Sequence, residues 1–135
     1  MARILVIDDD ESIRFLLRTV LEFQGYDVVE AENGYAGLLC YQAEPADLVI
    51  TVMQMPVMDG LELLMELRRT FPRVKVIAIS GGWRTLEVAR TFTPHIFEKP
   101  FALEEVLDTV HELVAATMPS ELGHGAVAHS VQVTA

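Results

Sequence analysis

Short apolar runs alternate with one-sided helical stripes five times along this chain. "RILVI" (3–7) reads as a strand buried on both faces, since its apolar residues are continuous rather than alternating. Ile13, Leu16, Leu17, Val20 and Leu21 then fall on one face of a helix, with Asp10 as N-cap and Gly25 as stop. "YDVVEA" (26–31) predicts a second strand, nearer a sheet edge because it carries charges. Ala36, Leu39, Cys40 and Ala43 predict a weaker helical stripe closed by Pro45. "DLVITV" (47–52) is the most hydrophobic strand, and Asp59 then caps a helix whose inner face is Leu63, Leu64, Leu67 and Phe71. "VKVIAI" (74–79) predicts the fourth strand, "WRTLEVARTF" a short helix closed by Pro94, and "HIFE" (95–98) the fifth strand. Leu103, Val106, Leu107, Val110 and Val114 give the last helix a clean apolar side.

Strands of this length alternating with helices require crossover connections, which build a parallel sheet covered on both faces. Beyond Met118, "MPSELGHGAVAHSVQVTA" carries no helical period and no Lys or Arg, and is expected to be a disordered tail, 118–135, after a domain spanning 1–117. Truncation at Met118 is accordingly expected to be tolerated.

Composition narrows the class. With 51% apolar residues in 135, the chain fills one domain-sized core. The lone cysteine, Cys40, excludes an internal disulfide framework and fits a reducing compartment. The chain lacks a secretory h-region and an apolar run of membrane-spanning length, so a cytoplasmic location without membrane insertion is expected. The net charge of −10 argues against nucleic acid as a partner, because duplex binding depends on neutralising phosphates.

Ligands of open parallel sheets bind beyond the carboxyl ends of the strands. The first strand delivers Asp8, Asp9 and Asp10 there, the third Val52 followed by Met53 and Gln54, the fourth Ser80 with Gly81 and Gly82, and the fifth Lys99. Carboxylates suit a hard cation such as Mg²⁺, while a lysine and a hydroxyl suit phosphoryl oxygens. Crowded acids also demand a counter-charge or a shifted protonation state.

"ILVIDDDESIR", "DLVITVMQMPVMDGLELL", "VIAISGG" and "FEKPF" together resemble the receiver domain of two-component response regulators, over about residues 2 to 117. The resemblance implies a doubly wound, five-stranded α/β fold of the flavodoxin/CheY-like type, strand order 2-1-3-4-5, with helices on both faces. It implies an acid pair at Asp8 and Asp9, with Asp9 ligating Mg²⁺ directly and Gln54 lending its backbone carbonyl. It also implies a switch hydroxyl at Ser80 and a phosphoryl-contacting lysine at Lys99. The family's acceptor aspartate lies four residues before the proline of "MP", and that position here is Val52. Valine offers neither a nucleophile nor a metal-ligating oxygen, so the usual aspartyl-phosphate cannot form on it. Ile96 stands where receivers that signal by an aromatic swing carry Tyr or Phe, and the run from Ser80 to Lys99 is shortened.

The implied function is a stand-alone receiver of a phosphorelay, a pseudo-receiver with a degenerate acceptor that works by protein contacts rather than as an enzyme. The partners would be a sensor histidine kinase or another signalling protein, the chain itself being a monomer or weak homodimer. Mg²⁺ would bind weakly. An ordinary receiver with an Asp-to-Val lesion at 52, natural or engineered, is the near alternative. A phosphatase of the haloacid-dehalogenase type, using Asp8 of Asp8-x-Asp10, is the distant one, because such enzymes want an acidic pair where this chain has "SGGW". A flavodoxin-type FMN site is disfavoured by the acids after the first strand.

Blander roles compete for several residues. Thr51 faces away from any crevice that position 52 faces. Asp59 and Asp10 suit helix caps, Lys99 could be only a counter-ion, and Met53, Met55 and Met58 suit packing. Trp83 suits a partner contact or a lid, but is more simply expected to cover apolar surface. His124 and His129 lack the company of metal-ligating acids, and Ala102 occupies a poor cap position without an evident role.

Overall fold

The computed structural model describes residues 1–115 and 132–133. In chain order the elements are β1 (Arg3–Ile7), α1 (Glu11–Phe23), β2 (Asp27–Ala31), α2 (Gly34–Ala43), β3 (Leu48–Val52), α3 (Gly60–Thr70), β4 (Val76–Ser80), α4 (Trp83–Ala89), β5 (Ile96–Glu98), β6 (Phe101–Ala102), α5 (Leu103–Ala115) and β7 (Gln132–Val133). The first five strands form one parallel sheet in the order β2-β1-β3-β4-β5. This is the doubly wound, CheY-like arrangement, with β2 at an edge as its charges suggest.

The side-chain alternation of the strands divides the core in two. Ile4, Val6, Leu48, Ile50, Val52, Ile77 and Ile79 join α1 and α5 in one apolar cluster. Leu5, Ile7, Val49, Met53, Val76 and Ala78 face the other way, into a cluster with α2, α3 and the end of α4. Alternate positions along each strand thus serve opposite layers, as a parallel sheet covered on both faces demands.

Helix starts follow local chemistry. The Asp10 carboxylate accepts from the Ser12 and Ile13 amides, Asn33 caps α2 through the Ala36 amide, and Asp59 caps α3 through the Glu62 amide. Gly25 closes α1 at φ 97°, a conformation that a side chain would resist.

In α2 the expected stripe is not the buried one. Gly34, Gly37, Leu38 and Tyr41 face inward, while Leu39 is exposed. The two glycines explain the rotation, because they let the helix backbone come unusually close to its neighbours. A Cβ on Gly34 would lie 2.2 Å from the Met58 carbonyl oxygen, and one on Gly37 would lie 2.4 Å from Ile7 Cδ1. Small residues can be the most buried ones on a helix without contributing to its apolar pattern.

The tail expectation falls mainly outside the described residues, as do His124 and His129. Its described part, Gln132–Val133, pairs antiparallel with Phe101–Ala102, and Val133 is buried in the α1/α5 cluster. Ala102, without a role as a cap, sits in that two-stranded ladder.

Candidate functional site

The carboxyl ends of β1, β3, β4 and β5 converge because the backbone ladders run on past the last strand residues. The Asp8 amide donates to Ala31 O at 3.1 Å, Met53 N to Ile79 O at 2.9 Å, and Lys99 N to Ser80 O at 2.9 Å. Asp8, the end of β3, Ser80 and Lys99 are therefore brought to one rim by main-chain bonding alone. The loop after β3 then folds back, with Gly60 N donating to Met53 O at 2.8 Å. A Cβ on Gly60 would lie 2.6 Å from the Val52 carbonyl oxygen, so the "DG" step needs a glycine to close.

Val52 ends β3 opposite Ile79 and is 5% exposed, packed into the α1/α5 cluster. Thr51, fully buried, donates its hydroxyl to the Val52 carbonyl at 2.8 Å and is occupied locally, in keeping with a structural part. Met53 is buried, and Met55 and Met58 pack partly buried against the core, as expected of packing residues.

The acids of the "DDD" run diverge. Asp10 serves α1, and Asp9 is exposed. Asp8 is 1% exposed, its Oδ1 accepting from the Asp10 amide at 2.8 Å while Oδ2 has no hydrogen-bond partner among the described residues. Burial pushes the Asp8 carboxyl up to about 6; the Asp10 amide and the charge of Lys99 oppose that rise, and Asp9 and Asp10 add to it. Lys99 acts on Asp8 from beyond contact, since it forms no ion pair within 4.0 Å among the described residues.

Ser80 is buried and donates its hydroxyl to the Gln54 side-chain oxygen at 3.2 Å, while accepting from the Gly82 amide at 3.0 Å. Beside this pair, an open groove of about 500 Å³ runs between the loop after β3 and α4, lined by Gln54, Met55, Asp59, Arg84, Thr85 and Val88. Trp83 does not cover apolar surface as expected. It is 62% exposed, with the Arg84 guanidinium 5.5 Å from the ring centroid, while Leu86 and Ala89 form the buried face of α4.

One site-supporting residue had drawn no sequence argument. Arg14 donates Nη1 to the Asp8 carbonyl at 2.7 Å and Nε to Glu30 at 3.1 Å, tying the acidic loop to β2. Its sequence signal was faint: a basic residue four after Asp10, on the first turns of α1.

No group of three His, Cys, Asp or Glu poised to hold a metal occurs among the described residues. The donors at hand are the unpartnered oxygen of Asp8, the exposed Asp9 and backbone carbonyl oxygen.

Fold and rim together define a doubly wound α/β domain with an acid, hydroxyl and lysine crevice at the carboxyl edge of its sheet. The profile of the response regulator receiver domain matches residues 4–111, and the chain belongs to that family. It is 34% identical over 122 residues to Response regulator MprA of Mycolicibacterium vanbaalenii, covering 88% of this chain and 53% of that protein. To Response regulator MprA of Mycobacterium avium it is 33% identical over 122 residues, covering 88% and 54%. The chain thus spans about half the length of the curated relatives it matches. Among solved structures it is similar to response regulator TrrA of Thermotoga maritima in complex with Mg²⁺-BeF, at 32% identity and a TM-score of 0.78, covering 84% of this chain and 99% of that one. The receiver domain of the Francisella response regulator 1452 superposes with a TM-score of 0.81 at 27% identity, covering 87% and 100%.

Proposed function

We propose that this chain is a receiver domain of two-component signalling that forms no aspartyl-phosphate at the usual position and signals through protein contacts. The observation that carries the reading is Val52: an apolar, buried side chain at the end of β3, on the rim that also bears Asp8, Ser80 and Lys99. Asp8, Asp9, Ser80 and Lys99 keep the residue types of the phosphoryl site, with Gln54 following β3. A phosphoryl group on an aspartate needs the aspartate, and neither Thr51 nor Asp59 is placed to replace it. Thr51 is buried and hydrogen-bonded to the main chain, and Asp59 is engaged as a helix cap.

Mg²⁺ binds weakly in this reading, through Asp8, Asp9 and the Gln54 carbonyl, because cation affinity follows ligand charge and number and the third carboxylate is gone. The cation would supply charge neutralisation for the acid pair. The domain spans 1–117, with 118–135 as an appended segment, and works in the cytoplasm, monomeric or weakly dimeric, without catalytic turnover. A sensor histidine kinase or another signalling protein is the partner class; nucleic acid is disfavoured by the net charge of −10. The Asp8-based phosphatase reading gains no support, since the Asp8 carboxyl is buried and half engaged by the Asp10 amide.

Incubation with a small phosphodonor and Mg²⁺, read by intact mass, tests the proposal. The native chain is expected to gain no phosphoryl group and Val52→Asp to gain one. Equal labelling of both would mean that another residue accepts, and the reading would fail.

A further inference from the structure

β6 stands outside the five-stranded sheet, as a two-residue strand between Lys99–Pro100 and α5. Its main-chain polar groups need partners, and an unpaired strand edge is a template for adding another strand. Gln132–Val133 supplies that partner, with Val133 opposite Phe101 and Gln132 opposite Ala102. Val133 is 4% exposed and shares an apolar cluster with Phe101, Ile13, Leu17, Val106 and Leu107.

We propose that Phe101–Ala102 and the apolar seat beside it form a strand-addition site, occupied in cis by the chain's own Gln132–Val133. The occupant's sequence suits the task. "SVQVT" (130–134) alternates polar and β-branched apolar residues, the signature of a strand with one buried side. The ligand class is an extended, uncharged segment with a β-branched residue opposite Phe101, since main-chain bonding provides adhesion and the seat provides selection. The hold is modest. A ladder of two residues and one buried valine works against the backbone and side-chain entropy of ordering the strand on its seat. The segment therefore exchanges on and off its seat, two residues from Lys99, while the five-stranded sheet stays folded.

Hydrogen exchange by NMR on the full chain tests this, with Val133→Asp as the variant and a peptide of residues 128–135 as the ligand in trans. Val133→Asp is expected to raise exchange at Phe101–Ala102 by at least about tenfold while β1 and β3 keep their protection. The peptide is expected to restore that protection, and to bind the variant about tenfold more tightly than the native chain, whose seat is filled. Unchanged exchange at Phe101–Ala102, or equal peptide affinity for both chains, would overturn the proposal. So would contacts between differently labelled copies at this seat, which would make the occupant a second molecule. If Val133→Asp lowers the far-UV signal of the whole domain, Val133→Ala takes its place. A smaller rise confined to Phe101–Ala102 then supports the site, and no rise there overturns it.

Discussion

Ser80 donates its hydroxyl to the Gln54 carboxamide across the mouth of the crevice, a bond of 3.2 Å between the end of β4 and the loop after β3. It gives the hydroxyl a partner within the protein, next to the strand end where Val52 stands. Gln54→Ala is expected to free that hydroxyl without unfolding the domain, because Gln54 is exposed. Carbon and nitrogen chemical shifts of Ser80, Gly82 and their neighbours should move while those of β2 do not; uniform invariance would show that the bond is not held in solution.

Restoring an acid at position 52 asks more of the fold. Val52→Asp exchanges a buried apolar side chain for a third carboxylate beside Asp8 and Asp9. Desolvation and repulsion are expected to cost about 1–3 kcal/mol in metal-free urea unfolding. Millimolar Mg²⁺ should return part of that loss in the variant, since a ligand of the native state stabilises it, and should shift the native chain little. Trp83 fluorescence offers a second readout, and saturation of the native chain at tens of micromolar Mg²⁺ would contradict the proposed weak binding.

Asp8 gives stability a pH dependence with a defined sign. Its carboxyl rises on folding from 3.8 to about 6, so the native state holds the proton more tightly than the unfolded chain. The contribution is complete below about pH 4 and is lost as pH climbs through about 6. Relative to Asp8→Asn, which cannot titrate, the native protein is expected to lose about 2 kcal/mol across that window, less than the full shift because some solvent screening remains. Thermal or urea midpoints of both proteins from pH 4 to 7 measure it, and parallel curves would refute the buried, unpartnered state of Oδ2.

Val57 holds a φ of 72° at the centre of a tight turn in which Met58 N donates to Pro56 O at 2.8 Å. A β-branched residue is strained there, and its side chain, 75% exposed, recovers little by packing. Val57→Gly is expected to stabilise by about 1 kcal/mol, the relief of strain exceeding the entropy that glycine adds to the unfolded chain. A lower urea midpoint in the variant would disprove the strain.

Arg68 gathers three main-chain carbonyls, donating to Pro72 and Val74 before β4 and to Phe92 after α4 at 2.7–2.8 Å. This guanidinium anchors the shortened α4 region to α3. Arg68→Met keeps the stem but strands the acceptors, and is expected to cost about 2–3 kcal/mol. Arg68→Lys should recover only part, because an ammonium cannot reproduce the fork. A loss below about 0.5 kcal/mol for the methionine variant would show that solvent serves these carbonyls equally well.

The continuous apolar runs of β1, β3 and β4 and the stripes of α1, α3 and α5 were legible in the linear order of residues, because burial on a regular element repeats with that element's own period. The caps at Asp10 and Asp59 were legible too, since their bonds reach only two or three residues along the chain. So was the presence of a valine at position 52, which is read directly from the order of residues. Tertiary structure decided what depends on approach between distant segments. The inward face of α2 follows from Gly34 meeting Met58 and Gly37 meeting Ile7, contacts invisible to a hydrophobic count. The state of Asp8 follows from enclosure, which withdraws water from one oxygen while an amide holds the other. The pairing of Gln132–Val133 with Phe101–Ala102 follows from the shape of an edge. Local chemistry selected the elements; desolvation and backbone proximity, which act through space, determined what they meet.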